Sequence, residues 1–200
     1  MRPASVLALP DGRRLAYDDV GDPAGEVVVY LHGSPDCRLA RHPDDGVAAA
    51  LGVRLVALDR PGFGRSSRHR GAAPAALAGD LEALADHLGL GTYRLLGWSA
   101  GGLAALAVAA TTPDRLAALG LVGSVPPVEA YDDPVVLAAL DPVRRSFVEL
   151  AREVPPAEVG AEVGPGLVPD PLDLELARAQ VVESAGPVGR AELEAGVGAG

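Results

Sequence analysis

The chain has 200 residues, 48% of them hydrophobic, and a formal net charge of −10. That content supports one domain with a buried core, and the negative balance argues against a nucleic-acid or anionic-membrane surface. No apolar window approaches the length of a membrane span, and residues 6–9, cut off by Pro10-Asp11-Gly12, are too short for a secretory signal. All 17 cationic side chains are Arg, which points to a GC-rich coding sequence rather than to a special function. The single Cys37 excludes an internal disulfide and fits a reducing cytosol. It reads as a small buried hydrophobe, and the chain as a soluble cytoplasmic protein.

Residues 6–9, the turn Asp11-Gly12 and residues 13–20 read as an antiparallel hairpin at the edge of a parallel sheet. Residues 27–32 (V-V-V-Y-L-H) form a continuous apolar run, as a parallel strand covered on both faces requires. The run ends in His32-Gly33-Ser34-Pro35. A helix is predicted over residues 37–50, closed by Gly52. Residues 54–59 (R-L-V-A-L-D) form a second such strand, leading into Arg60-Pro61-Gly62-Phe63-Gly64-Arg65-Ser66-Ser67. Over residues 74–88, Leu77, Leu81, Leu84 and Leu88 recur at helical spacing, with Pro74 suited to the first turn and Gly89 to the end. A short strand at 93–96, a buried Ala/Leu/Val helix at 103–111 and a further strand at 116–122 follow. Beyond Val125, Pro126-Pro127 open a segment in which Val136, Leu140, Val143, Phe147, Leu150 and Val154 lie on one helical stripe. A Gly/Pro/acidic linker at 160–170 and helices at 172–183 and 189–195 complete the reading. Strands alternating with helices predict a wound α/β sheet.

Gly97-Trp98-Ser99-Ala100-Gly101 joins the strand at 93–96 to the helix at 103–111. A Ser on so tight a strand-to-helix turn has a strained backbone and an Oγ standing clear of the sheet's C-terminal edge. Gly97 and Gly101 are required because side chains there would strike the neighbouring strand or helix. Composition alone yields G-x-S-x-G in about one such chain in eight, so the weight rests on context. The competing reading is a Gly-rich turn in a dinucleotide-binding sheet, and against it no G-x-G-x-x-G follows an early strand.

Three strand-end motifs, H-G-S-P at 32–35, D-R-P-G-F-G-R-S at 59–66 and G-W-S-A-G at 97–101, resemble in kind and order those of the α/β-hydrolase fold family. The likeness is to the branch of proline iminopeptidases and small esterases. It covers residues 5–125 closely and the remainder loosely. It implies an α/β-hydrolase core over 1–125, with a mostly parallel sheet and an N-terminal antiparallel hairpin, and a partial helical cap over 126–200. A helical tail without contact to the site is the alternative for the latter. By the same resemblance Ser99 is the nucleophile, and the backbone N–H groups of Ser34 and Ala100 form the oxyanion hole. His32, Gly33, Pro35, Gly97 and Gly101 shape the supporting loops, and Trp98 and Phe63 either line the pocket or pack. The implied substrate is a small-molecule ester or amide, with no cofactor, metal, nucleic acid or membrane partner. Oligomeric state stays open. Haloalkane dehalogenases are disfavoured, because they carry Asp where Ser99 stands.

In this fold the catalytic order along the chain is Ser, then Asp or Glu, then His, yet His32, His42, His69 and His87 all precede Ser99. The resemblance gives His32 the task of fastening the oxyanion loop. His69 is either a solvated loop residue or a substitute base, and His42 and His87 carry no role. Asp59 reads as a carboxylate pinning the Pro61-Gly62 turn rather than as an acid, and Glu129 stands where a minority of the family keep theirs. The chain is therefore expected to stop inside the cap, before the last strands, leaving an inactive fragment with its sixth strand as an apolar edge. The rival reading is a non-catalytic ligand-binding relative whose triad has decayed.

Overall fold

The hairpin forms because the turn supplies its own hydrogen bonds. Asp11 accepts the Arg13 backbone N–H at 3.0 Å, and Gly12 sits at a φ of 84°, open to glycine without strain. The flanking strands, β1 (Ser5–Ala8) and β2 (Arg14–Gly21), pair antiparallel with Leu7 opposite Leu15. The computed structural model describes residues 3–70 and 73–153. Four more strands complete a six-stranded sheet: β3 (Glu26–Leu31), β4 (Val53–Leu58), β5 (Tyr93–Trp98) and β6 (Leu116–Val122). Their order is β1-β2-β4-β3-β5-β6, with β2 antiparallel to β4 and the pairs β3–β4, β3–β5 and β5–β6 parallel. The chain moves outward from β3 to β4, then returns across β3 to β5. Such a reversal opens a crevice beyond the C-terminal strand ends, where open α/β sheets hold ligands.

The helices depart from the sequence expectation at two points, both through proline and aspartate. The helix expected over 37–50 is confined to α1 (Asp45–Ala50). Pro43 biases His42 away from helical backbone, and the Asp44 side chain caps the new start by accepting the Gly46 N–H at 2.8 Å. The single stripe read from Val136 onward is instead two helices, α4 (Pro134–Ala138) and α5 (Pro142–Glu153). Asp141 accepts the Arg144 N–H at 3.0 Å, and Pro142 has no N–H to continue the first helix. The helices expected at 172–183 and 189–195 lie outside the described residues. Between these come α2 (Leu77–His87), entered through a 3-10 turn at Pro74–Ala76, and α3 (Ala100–Thr111).

Leu15, Leu31, Val56, Leu58, Leu81, Leu84, Tyr93, Leu95 and Val108 are all but fully buried and form one core between the sheet, α2 and α3. Each such side chain contributes about 1.5–3 kcal/mol. Arg13 ties the hairpin to α2 through a two-pronged bond to the buried Asp80, at 2.8 and 2.6 Å. Among the described residues β6 is a sheet edge, and Leu119, Leu121 and Val122 on it are exposed. Close contacts divide the chain into two units, Met1–Asp132 and Asp133–Gly200, and the first holds the whole sheet. No helix among the described residues is long and apolar enough to cross a membrane.

Asp59 follows β4 directly and is wholly buried, and its carboxylate accepts three bonds: Arg38 N–H at 2.7 Å, Arg38 Nη1 at 3.0 Å and Arg65 N–H at 2.8 Å. Arg38 in turn donates Nε to Asp18 of β2 at 3.0 Å. Asp59 thus holds the loop after β4 to the loop after β3, and the donors are Arg65 and Arg38 rather than the Pro61-Gly62 turn. Residues 37–41 serve this network and are not free to extend α1. Removing one partner of a buried ion pair strands the other, so Asp59→Ala is expected to cost about 3–5 kcal/mol. Glu26→Gln, which breaks the exposed pair with Arg94, costs under about 1 kcal/mol. Urea unfolding of the two variants measures the contrast.

Candidate functional site

Ser99 is the one described non-glycine residue with positive φ, at φ 52° and ψ −123°. Holding an L-residue there costs about 1–3 kcal/mol. A serine at a helix start usually turns its hydroxyl back onto the helix amides. Ser99 makes no such capping bond, so the helix leaves Oγ disengaged. The backbone is fixed instead: the Ser99 N–H donates to Val122 O at 2.9 Å, and its carbonyl accepts the Gly102 N–H at 2.9 Å.

The turn is this tight because glycine lets three backbones meet. A Cβ at Gly97 would lie 2.6 Å from Gly102 Cα, and one at Gly101 would overlap the carbonyl oxygens of Leu31 and His32 at the end of β3. A Cβ at Gly33 would come within 3.2 Å of Ser99 Cβ, so the loop after β3 lies directly against the serine. Gly102 was not singled out in the sequence, yet a Cβ there would overlap the Ser124 hydroxyl. A run of two glycines after the serine, Gly101-Gly102, was the available signal. The Ala100 N–H opens α3 and so lacks an intrahelical acceptor, with the positive end of the helix dipole beside it. The exposed Ser34 lies next to Gly33, and the Ser34–Pro35 peptide is cis.

His32 is fully buried and bonded on both ring nitrogens. Nδ1 lies 2.6 Å from Gly33 O, and Nε2 accepts the Arg60 N–H at 3.1 Å, which places the ring proton on Nδ1. Burial, more than any neighbouring charge, holds the His32 pKa below its ordinary 6.5. Arg60, passed over in the sequence reading, closes the same brace: Nη2 donates at 2.8 Å to both Gly33 O and Ser34 Oγ. Phe63 packs edge-on to His32, with ring centroids 5.2 Å apart, and beneath the Arg60 guanidinium at 4.6 Å. Trp98 is 40% exposed and flanks Gly33.

Beside the elbow is a cavity of about 280 Å³ lined by Arg60, His69, Leu77, Ala100, Leu103 and Ala104 among others. Neither Trp98 nor Phe63 is part of its lining. His69 reaches this cavity, but among the described residues no hydrogen bond joins any histidine to Ser99. His42 bonds locally to the Asp44 N–H, and the exposed His87 stacks edge-on to Tyr17. Glu129 is exposed in the 3-10 turn Val128–Asp132. Cys37 is half-buried rather than a core residue. Among the described residues no cluster of three or more His, Cys, Asp or Glu could hold a metal ion.

A family model described as alpha/beta hydrolase fold matches residues 26–158. The proline iminopeptidase of Xylella fastidiosa (strain 9a5c) is 34% identical over 127 residues, covering 59% of this chain and 38% of its own length. A haloalkane dehalogenase of Psychrobacter cryohalolentis is 30% identical over 159 residues, covering 78% and 50%. Among solved structures, a thermophilic esterase from Thermogutta terrifontis matches with a TM-score of 0.55 and 31% identity, over 68% of this chain and 52% of that one. The chain spans 33% to 50% of the length of the leading curated relatives it matches.

Two measurements check the geometry. If the backbone at position 99 is strained, Ser99→Gly is more stable than Ser99→Ala by about 1 kcal/mol, since only glycine relaxes there. Equal stability contradicts the strain. For His32, the native ring gives up its proton at lower pH than the unfolded chain does. Between the two values the unfolded state holds the extra proton, so this contribution is complete above pH 6.5 and is lost as pH falls through the lowered native value. NMR titration of the ring should give a midpoint below 6.5, and denaturation at pH 7.5 and 5 should lose that component in His32→Gln.

Proposed function

We propose that this chain, which belongs to the α/β-hydrolase fold family, carries the nucleophile and oxyanion cradle of a serine hydrolase acting on a small-molecule ester or amide. The observation that supports this reading most is Ser99 itself. It is held at positive φ with its hydroxyl disengaged from the helix it begins. Ser99 Oγ, its proton passing to a base such as added imidazole, attacks the substrate carbonyl carbon, and the carbonyl π electrons move to oxygen. The N–H groups of Ser34 and Ala100 hold the resulting oxyanion. Its collapse expels the alcohol or amine, to which the same proton then goes, and leaves an acyl-serine, which water then releases as the acid. One oxyanion donor contributes about 2.7–4 kcal/mol in other enzymes. Gly33, Gly97 and Gly101 permit the approach, while His32 and Pro35 shape the loop that presents Ser34.

The named relatives span iminopeptidase, esterase and dehalogenase chemistry. A serine at 99 favours acyl transfer over displacement of a halide, which calls for a carboxylate. We assign residues 126–200 to a substrate-selecting cap, of which residues 154–200 lie outside the described residues. The lone Cys37 fits a cytoplasmic setting.

This chain by itself turns over negligibly. No histidine follows Ser99, and the buried His32 is committed on both nitrogens. In one serine protease loss of the base costs about 10⁶ in turnover. With p-nitrophenyl butyrate the chain should therefore match its Ser99→Ala variant. Added imidazole, a diffusible base, should raise turnover of the Ser99 protein alone. Ser99-dependent turnover without imidazole would reveal an internal base. An imidazole increment equal in both proteins would remove Ser99 as nucleophile and favour a non-catalytic ligand-binding protein.

A further inference from the structure

The wall of the cavity beside the elbow carries a cation, Arg60. Arg60 has no carboxylate within ion-pair distance among the described residues, whereas Arg13, Arg38, Arg41 and Arg54 are all paired. Its Nη2 is bonded to the loop after β3, and its Nε is buried without a partner. Among the described residues no acceptor is bonded to Nη1. His69, on the same cavity wall, has a buried Nδ1 that is likewise without a partner. Burial, opposed by the charge of Asp36, holds the Arg60 pKa below its ordinary value. The first turn of α3, at Ala100, adds the positive end of a helix dipole. Leu77, Leu103 and Ala104 make the remaining wall apolar, and among the described residues no carboxylate lines the cavity.

A guanidinium without an ion pair among the described residues, set against alkyl walls in about 280 Å³, suits a ligand that is anionic at one end and apolar at the other. We propose that this cavity binds a small aliphatic carboxylate, its carboxyl group held by Arg60 and His69 and its chain lying along Leu77, Leu103 and Ala104. Both Nη2 hydrogens of Arg60 are spent on the loop after β3, so Nη1 is the group it keeps for a ligand. The second cavity, at the opposite end of β4, is different in kind: its charged groups, Asp19, Asp45 and Arg54, are paired already. The inference goes beyond the acyl-transfer reading and does not need Ser99 to react.

Binding of butyrate, butyramide, acetate and inorganic phosphate to the full chain, followed by NMR shift titration, tests it. Butyrate should bind at least tenfold more tightly than butyramide, acetate and phosphate, and should weaken as salt is raised. Arg60→Gln should remove at least tenfold of the butyrate affinity. Should that variant fail to fold, Leu103→Trp and Ala76→Phe, which fill the cavity without touching the charge, must each abolish binding. Ser99→Ala must leave it unchanged, so a failed nucleophile and a failed carboxylate site give different results. Equal affinity for butyramide, undiminished affinity in a folded Arg60→Gln variant, or butyrate binding that survives either filling variant overturns the proposal. Phosphate binding as tightly as butyrate overturns the apolar half of it.

Discussion

The site depends on one steric permission: the start of α3 presses directly on the carbonyls that end β3. Gly101 has no Cβ because one would overlap the oxygens of Leu31 and His32. From that approach the rest follows. The chain leaving β5 has no room for a relaxed turn, so Ser99 is driven to a φ of 52°. The same crowding sets Gly33 against Ser99 and brings the loop after β3 beside the first amides of α3. A hydroxyl, a helix terminus and a strand-end loop share one small volume because three backbones are closer than side chains allow.

The loops around that volume are held by charge as well as by packing. Asp59 gathers Arg38 and Arg65, and Arg38 reaches Asp18 on the neighbouring strand. His32 and Arg60 grip the loop after β3 from the other side. Ser66 adds a further tie, accepting the Ala16 N–H at 2.9 Å and donating to Asp59 O at 2.6 Å. These bonds join loops that follow different strands, so the site is organised across the sheet rather than along the chain. The acyl-transfer chemistry proposed for it needs such rigidity, because oxyanion donors act only when they are placed before the charge develops.

Much of this was legible in the sequence. Parallel strands buried on both faces must be continuously apolar, and 27–32 and 54–59 are; their strand-end motifs then lie at one edge. The serine elbow was legible because its glycines and flanking strand and helix are all local. What escaped depends on distant partners. Arg60 looks like any loop arginine until Gly33 O and Ser34 Oγ are folded against it. Asp59 was read as a carboxylate serving its own turn, whereas two of its three bonds come from Arg38, which is 21 residues away. The break between α4 and α5 was signalled by Asp141-Pro142, but the regular spacing of Val136, Leu140 and Val143 outweighed it. Periodicity reports which face of a helix is apolar and is blind to a cap that restarts the helix in phase.

The double grip on Gly33 O has a consequence for the next atom along. Nδ1 of His32 and Nη2 of Arg60 both engage that oxygen. A trans peptide unit is planar, with its C=O and N–H pointing in opposite directions. Pinning the oxygen toward His32 and Arg60 therefore turns the Ser34 proton the other way, with no contact to the nitrogen required. The two side chains work as a rudder on the peptide plane, steering a hydrogen they never touch.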